Sequence, residues 1–84
     1  MEKDTAIIIF KISKRDFSTD LIVPLNISAN ELVLALNAAY KLEMDTSNVK
    51  NCFLKAENPI ALLKGNKTLA DFGIRNGSVI YYTE

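Results

Sequence analysis

Gly65-Asn-Lys-Thr-Leu-Ala-Asp-Phe-Gly-Ile-Arg-Asn-Gly77 is the stretch that decides the fold of this chain. A glycine closes each end, where the backbone takes positive φ at little cost. Between them Thr68-x-x-Asp71 has the form of a capping box, with Asp in place of the usual Glu or Gln. Leu69, Phe72 and Ile74 are apolar but too closely spaced for a long helix. The spacing predicts one short helical turn, pinned to a core by these three side chains, ending at Gly73 and feeding a final strand.

Outward from that stretch, Ser78 to Thr83 reads as the last strand, with Tyr81 and Tyr82 on opposite faces. On the other side, Ile60 to Leu63 suits a brief strand and Glu57-Asn-Pro59 a turn. Val49 to Ala56 reads as a third strand with Cys52, Leu54 and Ala56 on one face and Phe53 and Lys55 on the other. The opposite phase, with Phe53 inward, fits nearly as well. Glu43 to Asn48 is a polar connection. Ser28-Ala-Asn-Glu31 is a full capping box, with Ile27 placed to staple against Leu32, and predicts a helix from about Ala29 to Leu42. At 100° per residue Leu32, Ala35, Leu36 and Ala39 share one face, and Asn30, Asn37 and Lys41 lie opposite, with Leu34 among them.

Thr5 to Ile12 is rich in β-branched residues and reads as the first strand, with Ala6, Ile8, Phe10 and Ile12 inward and Ile7, Ile9 and Lys11 outward. Ser13 to Asp16 is turn-like. Phe17 to Ile27 returns as a hairpin partner with Leu21, Val23 and Leu25 on one face, and Pro24 favours an edge position. The order is ββαββ-turn-β: an α+β arrangement in which one helix covers one face of a mixed sheet.

Eighty-four residues make one domain, 1–84. The 49% hydrophobic content supplies a core for a chain of this size. Ten acidic and ten basic residues cancel, which removes a general electrostatic drive toward nucleic acid or anionic membrane. The sole basic cluster is Lys11, Lys14 and Arg15, beside Asp16. With no histidine and one cysteine, Cys52, the chain lacks the usual zinc sites and the Cys-His and Ser-His-Asp pairs. Cys52 reads as a small buried filler. The acidic residues Asp16, Asp20, Glu43, Asp45, Glu57 and Asp71 are scattered, and Gly65-Asn-Lys67-Thr68 lacks the spacing of a phosphate loop. No catalytic, cofactor-binding or metal-binding residue is expected. No signal peptide or spanning segment is legible, so the expected location is cytoplasmic.

Taken together, the element order and Thr68, Leu69, Asp71, Phe72 and Ile74 before the last strand resemble the ubiquitin-like β-grasp fold. Within it the chain looks most like the YukD/EsaB family, bacterial ubiquitin-like proteins associated with type VII (ESX-like) secretion in Gram-positive bacteria. The length, a start almost directly on strand one, and Gly73-Ile74-x-Asn76-Gly77 before a short apolar strand carry that similarity. The resemblance implies a small cytosolic, non-enzymatic accessory or regulatory component that binds a cytosolic domain of the secretion machinery. The chain closes on Ile80-Tyr81-Tyr82-Thr83-Glu84 rather than the Gly-Gly tail that a conjugated modifier or sulfur carrier presents, so activation chemistry is expected only after processing.

In a β-grasp sheet the first strand lies beside the last and the last beside the third. Ile7, Ile9, Phe53 and Tyr81 then form a contiguous apolar patch for protein docking on the face away from the helix. A slip of one residue in strands one and three turns the same residues into core. Leu34 has two readings, a half-covered surface residue or a self-association contact leading to a homo-oligomer and a structural adaptor role.

Overall fold

The computed structural model describes residues 4–83, apart from the side chain of Val49. The Glu84 end of the expected tail lies outside the described residues. Five strands form one sheet: β1 (Thr5–Ile12), β2 (Phe17–Pro24), β3 (Leu54–Glu57), β4 (Ala61–Leu63) and β5 (Val79–Tyr82), in the order β2-β1-β5-β3-β4. β1 pairs antiparallel with β2 and parallel with β5, and β3 is antiparallel to both its neighbours. The helix α1 (Ala29–Tyr40) covers one face.

Period two in β1 is strict. Ala6, Ile8, Phe10 and Ile12 are buried, while Ile7 and Lys11 are exposed and Ile9 is half-buried. The core they build is completed by Val23, Val33, Leu36, Leu54, Leu63, Leu69, Ile74 and Ile80. β2 is an edge strand, consistent with Pro24, and it is shorter than the sequence suggests. Beyond Pro24 the backbone turns to another partner: the Leu25 carbonyl accepts from Ala70 N–H at 2.9 Å and the Ile27 carbonyl from Leu69 N–H at 3.0 Å.

The Gly65–Gly77 stretch therefore does more than close the core. A helix leaves its first backbone N–H groups without partners inside the helix. Here the N–H groups of Ala29 and Asn30 donate to the carbonyls of Lys67 and Gly65, at 2.9 and 3.0 Å. The Glu31 N–H donates to Ser28 Oγ at 3.1 Å, and the Ser28 N–H donates back to Glu31 Oε1 at 2.9 Å, completing the capping box. Asn30 Oδ1 accepts from Gly65 N–H at 2.9 Å. The short turn forms as expected. Thr68 Oγ1 accepts from Asp71 N–H at 3.1 Å, and Phe72 N–H reaches the Thr68 carbonyl. It ends in a Schellman arrangement: Gly73 N–H bonds the Ala70 carbonyl, Ile74 N–H bonds the Leu69 carbonyl, and Gly73 has φ +83°. At the far end Gly77 N–H donates to the Ile7 carbonyl and Ile7 N–H to Asn76 Oδ1, which sews the stretch to β1.

Two sequence expectations are corrected. The helix stops at Tyr40, two residues early, and its buried residues are Ala29, Leu32, Val33 and Leu36. Ala35 and Ala39 are exposed instead, so the helix is rotated toward Val33. Asn30 and Asn37, assigned to the polar face, flank the buried stripe because their side chains hold backbone: Asn30 that of Gly65, and Asn37 that of Met44, whose N–H donates to Oδ1 at 2.9 Å. Lys41, at φ 53°, ends the helix, and Arg15 of the β1–β2 turn donates to the carbonyls of Tyr40 and Lys41 at 2.8 and 2.9 Å. The last turn has no basic residue of its own, so a cation from elsewhere complements the negative end of the helix dipole.

The third strand is also shorter than expected. Thr46–Asn51 forms 3-10 structure with a kink at Asn48, and pairing starts at Leu54. Asp45 begins that segment as a turn former, its Oδ1 accepting from the N–H and hydroxyl of Ser47 at 3.0 and 2.6 Å. Cys52, buried, donates from Sγ to the Asp45 carbonyl at 3.3 Å. The buried phase of Cys52, Leu54 and Ala56 is as expected, and Phe53 points outward. The Asn58–Pro59 peptide in the β3–β4 turn is cis.

Candidate functional site

The sheet face away from α1 is built by alternation. β1 sends out Ile7, Ile9 and Lys11, and β5 sends out Val79 and Tyr81, since Ile80 is buried and Tyr82 packs on the core. β3 sends out Lys55 and Glu57, β2 Ser18, Asp20 and Ile22, and β4 Leu62. Register sets their order. Ile7 faces Ile22 across β1–β2, and Ile9 lies between Asp20 and Val79. Tyr81 lies between Lys11 and Lys55, and Leu62 faces Lys55. Adjacent strands are about 4.8 Å apart, so side chains paired in this way touch.

Four of the five residues singled out from sequence sit on this surface. Ile7 is 52% exposed and Phe53 39%, while Ile9 and Tyr81 are half-buried by their neighbours. Ile9 reaches Tyr81 through Val79, and Phe53 and Tyr81 line a single open cavity of about 370 Å³, with Lys55 and Thr83 on its wall. The outward phase thus applies to strand one and to Phe53. Leu34 stands apart on α1, 39% exposed beside the exposed Ala35 and Ala38.

Apolar residues not singled out are Val79, Ile22 and Leu62 on this face and Ile60 in the turn before β4, the last three at 70%, 46% and 90% exposure. A signal for Ile22 existed. It lies between the inward Leu21 and Val23, so period two alone places it outside. Leu62 and Ile60 had none, because a strand of three residues has too few positions to show a phase.

Titratable chemistry is sparse. The Asp45 carboxyl is held below its ordinary value by the Ser47 hydroxyl and N–H bonds. Among the described residues no group of three His, Cys, Asp or Glu is placed to hold a metal ion, and no helix is long and apolar enough to cross a membrane.

A helix laid across a mixed five-stranded sheet with β5 between β1 and β3 is the ubiquitin-like β-grasp, and solved structures share it. The ubiquitin-like domain of tubulin-binding cofactor B superposes with a TM-score of 0.74 at 20% identity, covering 96% of this chain and 90% of that one. The C-terminal ubiquitin-like domain of mouse tubulin-specific chaperone e gives a TM-score of 0.70 at 13% identity, covering 99% and 89%. The ubiquitin-like domain of Plasmodium falciparum Dsk2 gives 0.59 at 13%, covering 92% and 96%. At these identities the likeness concerns the fold. Residues 7–81 match the family described as WXG100 protein secretion system (Wss), protein YukD, and the chain belongs to that family. It is thereby a ubiquitin-like protein linked to WXG100 secretion. No curated protein sequence matches significantly.

Proposed function

We propose that this protein is a non-enzymatic docking module of the WXG100 secretion system, acting in the cytosol on a domain of the machinery through the outer face of its sheet. The observation that carries the proposal is the unbroken apolar path from Ile22 and Ile7 through Ile9 and Val79 to Tyr81 and Phe53. Single exposed apolar residues are ordinary on any protein, but a contiguous tract bordered by charge is what partner surfaces present. Family membership supplies the system, and the face supplies the means.

The test is secretion of WXG100 proteins by the native host carrying Ile7→Asp or the pair Phe53→Asp and Tyr81→Asp, with folding checked by circular dichroism. Secretion should fall sharply while the fold persists. Folded variants that secrete normally would sink the proposal. A second reading, self-assembly through the helix, is favoured by Leu34 lying exposed beside Ala35 and Ala38.

A further inference from the structure

Charge is not spread evenly over the outer face. One row across the sheet runs Lys11–Tyr81–Lys55, each residue the Cα partner of the next. The neighbouring row runs Asp20–Ile9–Val79–Glu57. Tyr81 and Lys55 of the lysine row line the cavity together with Phe53, while Lys11, on the other side of Tyr81, stands beside Asp16 in a neighbouring hollow. Two more exposed lysines lie at the same end: Lys14 in the turn that follows Ile12, and Lys64 directly after Leu63, which pairs with Leu54. Asp45 also lines the cavity, but its Oδ1 is occupied by the N–H and hydroxyl of Ser47. The acidic row lies on the far side of the lysines from the cavity mouth.

We infer that this end of the face takes an acidic peptide segment of a protein partner, with one aromatic or long aliphatic side chain entering the cavity between Phe53 and Tyr81. Flanking carboxylates of the segment meet Lys11 and Lys55. The inference deepens the docking proposal and rests on it. Two observations argue for this occupant. The cavity, about 370 Å³, is of the size that holds one bulky side chain with room for water. Lys55 lines it on one side of Tyr81 and Lys11 is the strand partner of Tyr81 on the other, each ammonium on a flexible stem that follows a carboxylate without demanding one geometry. Like charges set two strands apart are unfavourable until an anion lies between them, so the acidic segment is favoured and a basic one is rejected.

The experiment is amide chemical-shift titration of the isotope-labelled protein with three synthetic peptides. One is acidic around a central phenylalanine, one has its acidic residues replaced by lysines, and one is acidic with alanine at the centre. The acidic phenylalanine peptide should shift Phe53, Lys55, Tyr81 and Thr83. The other two should bind at least roughly fivefold more weakly, as should the acidic one when Lys11→Glu and Lys55→Glu are combined or when salt is raised to about 0.5 M. Equal binding of acidic and basic peptides, no binding of the acidic peptide, or shifts confined to Ile7 and Ile22 would each overturn the inference. Concentration-dependent shifts at the cavity without peptide would give it to a second copy of the chain and overturn it too. The lysine pair separates this failure from that of the docking proposal. If Ile7→Asp stops secretion in the host while Lys11→Glu with Lys55→Glu leaves it intact, the face docks a partner but not an acidic one.

Discussion

Leu69 shows how much rests on single residues in a chain of this size. Its side chain is fully buried, and its backbone joins the short turn to Ile27 and Ile74. Leu69→Ala should cost about 2–5 kcal/mol in urea unfolding, against a total of about 5–15 kcal/mol for an ordinary domain. A loss under about 1 kcal/mol would mean the site collapses around the cavity. Asp45 makes a prediction of opposite kind. Its folded pKa lies below the ordinary 3.8, so its bonds to Ser47 stabilise the fold above that value and are lost as pH falls through the lower, folded one. Asp45→Asn should therefore lower stability by a constant amount above 3.8, including at neutrality, and the difference from wild type should vanish as pH falls through the lower, folded value, flattening the acid side of the curve. A wild-type acid limb left unchanged in the variant would assign the effect to another group. Gly73 was legible as a turn-closing glycine because only a residue at ease at φ +83° ends this turn.

At the scale of elements, α1 is capped at both ends by different means. The N-terminal box was legible because Ser28 and Glu31 lie three residues apart, a local signal. The C-terminal cap was not, since Arg15 lies 25 residues from Tyr40 in sequence. Ser28→Ala should cost about 1 kcal/mol and Arg15→Ala about 1 kcal/mol, the latter discounted for exposure. The two should add in chemical denaturation, because they act at opposite ends of the helix. Strong non-additivity would mean that the helix ends are coupled. Helix rotation was misread for a related reason. A wheel weights Ala35 and Ala39 with the apolar face and Asn30 and Asn37 with the polar one, yet the two asparagines are drawn inward by backbone groups of Gly65 and Met44. The third strand was overextended because Val49–Phe53 has strand-like residues, whereas the Asp45–Ser47 turn and the Cys52 contact with the Asp45 carbonyl hold its first half in 3-10 form.

For the whole molecule, the sheet and the helix offer two outward surfaces on opposite sides. The apolar tract on the sheet serves docking in the proposed function, and Leu34 marks the alternative. Sedimentation at high concentration separates them. A monomer unchanged by Leu34→Glu removes the helix as a self-association surface, whereas an oligomer that Leu34→Glu dissociates would establish it. Four of the five candidate residues were placed on one face by strand alternation plus the β-grasp strand order. That both phase choices turned outward is a matter of packing, because the buried faces of β1 and β3 must both meet α1.

The sequence by itself determined the elements and their order, since alternation, capping boxes and turn glycines act within a few residues. It also determined the scaffold, through Thr68, Leu69, Asp71, Phe72 and Ile74. Tertiary structure alone decided the contacts between distant segments. The carbonyls of Gly65 and Lys67 cap α1, Arg15 closes its other end, and Lys11, Tyr81 and Lys55 form one row. Each is a pairing between segments whose meeting depends on how the whole core packs, and no local pattern encodes it.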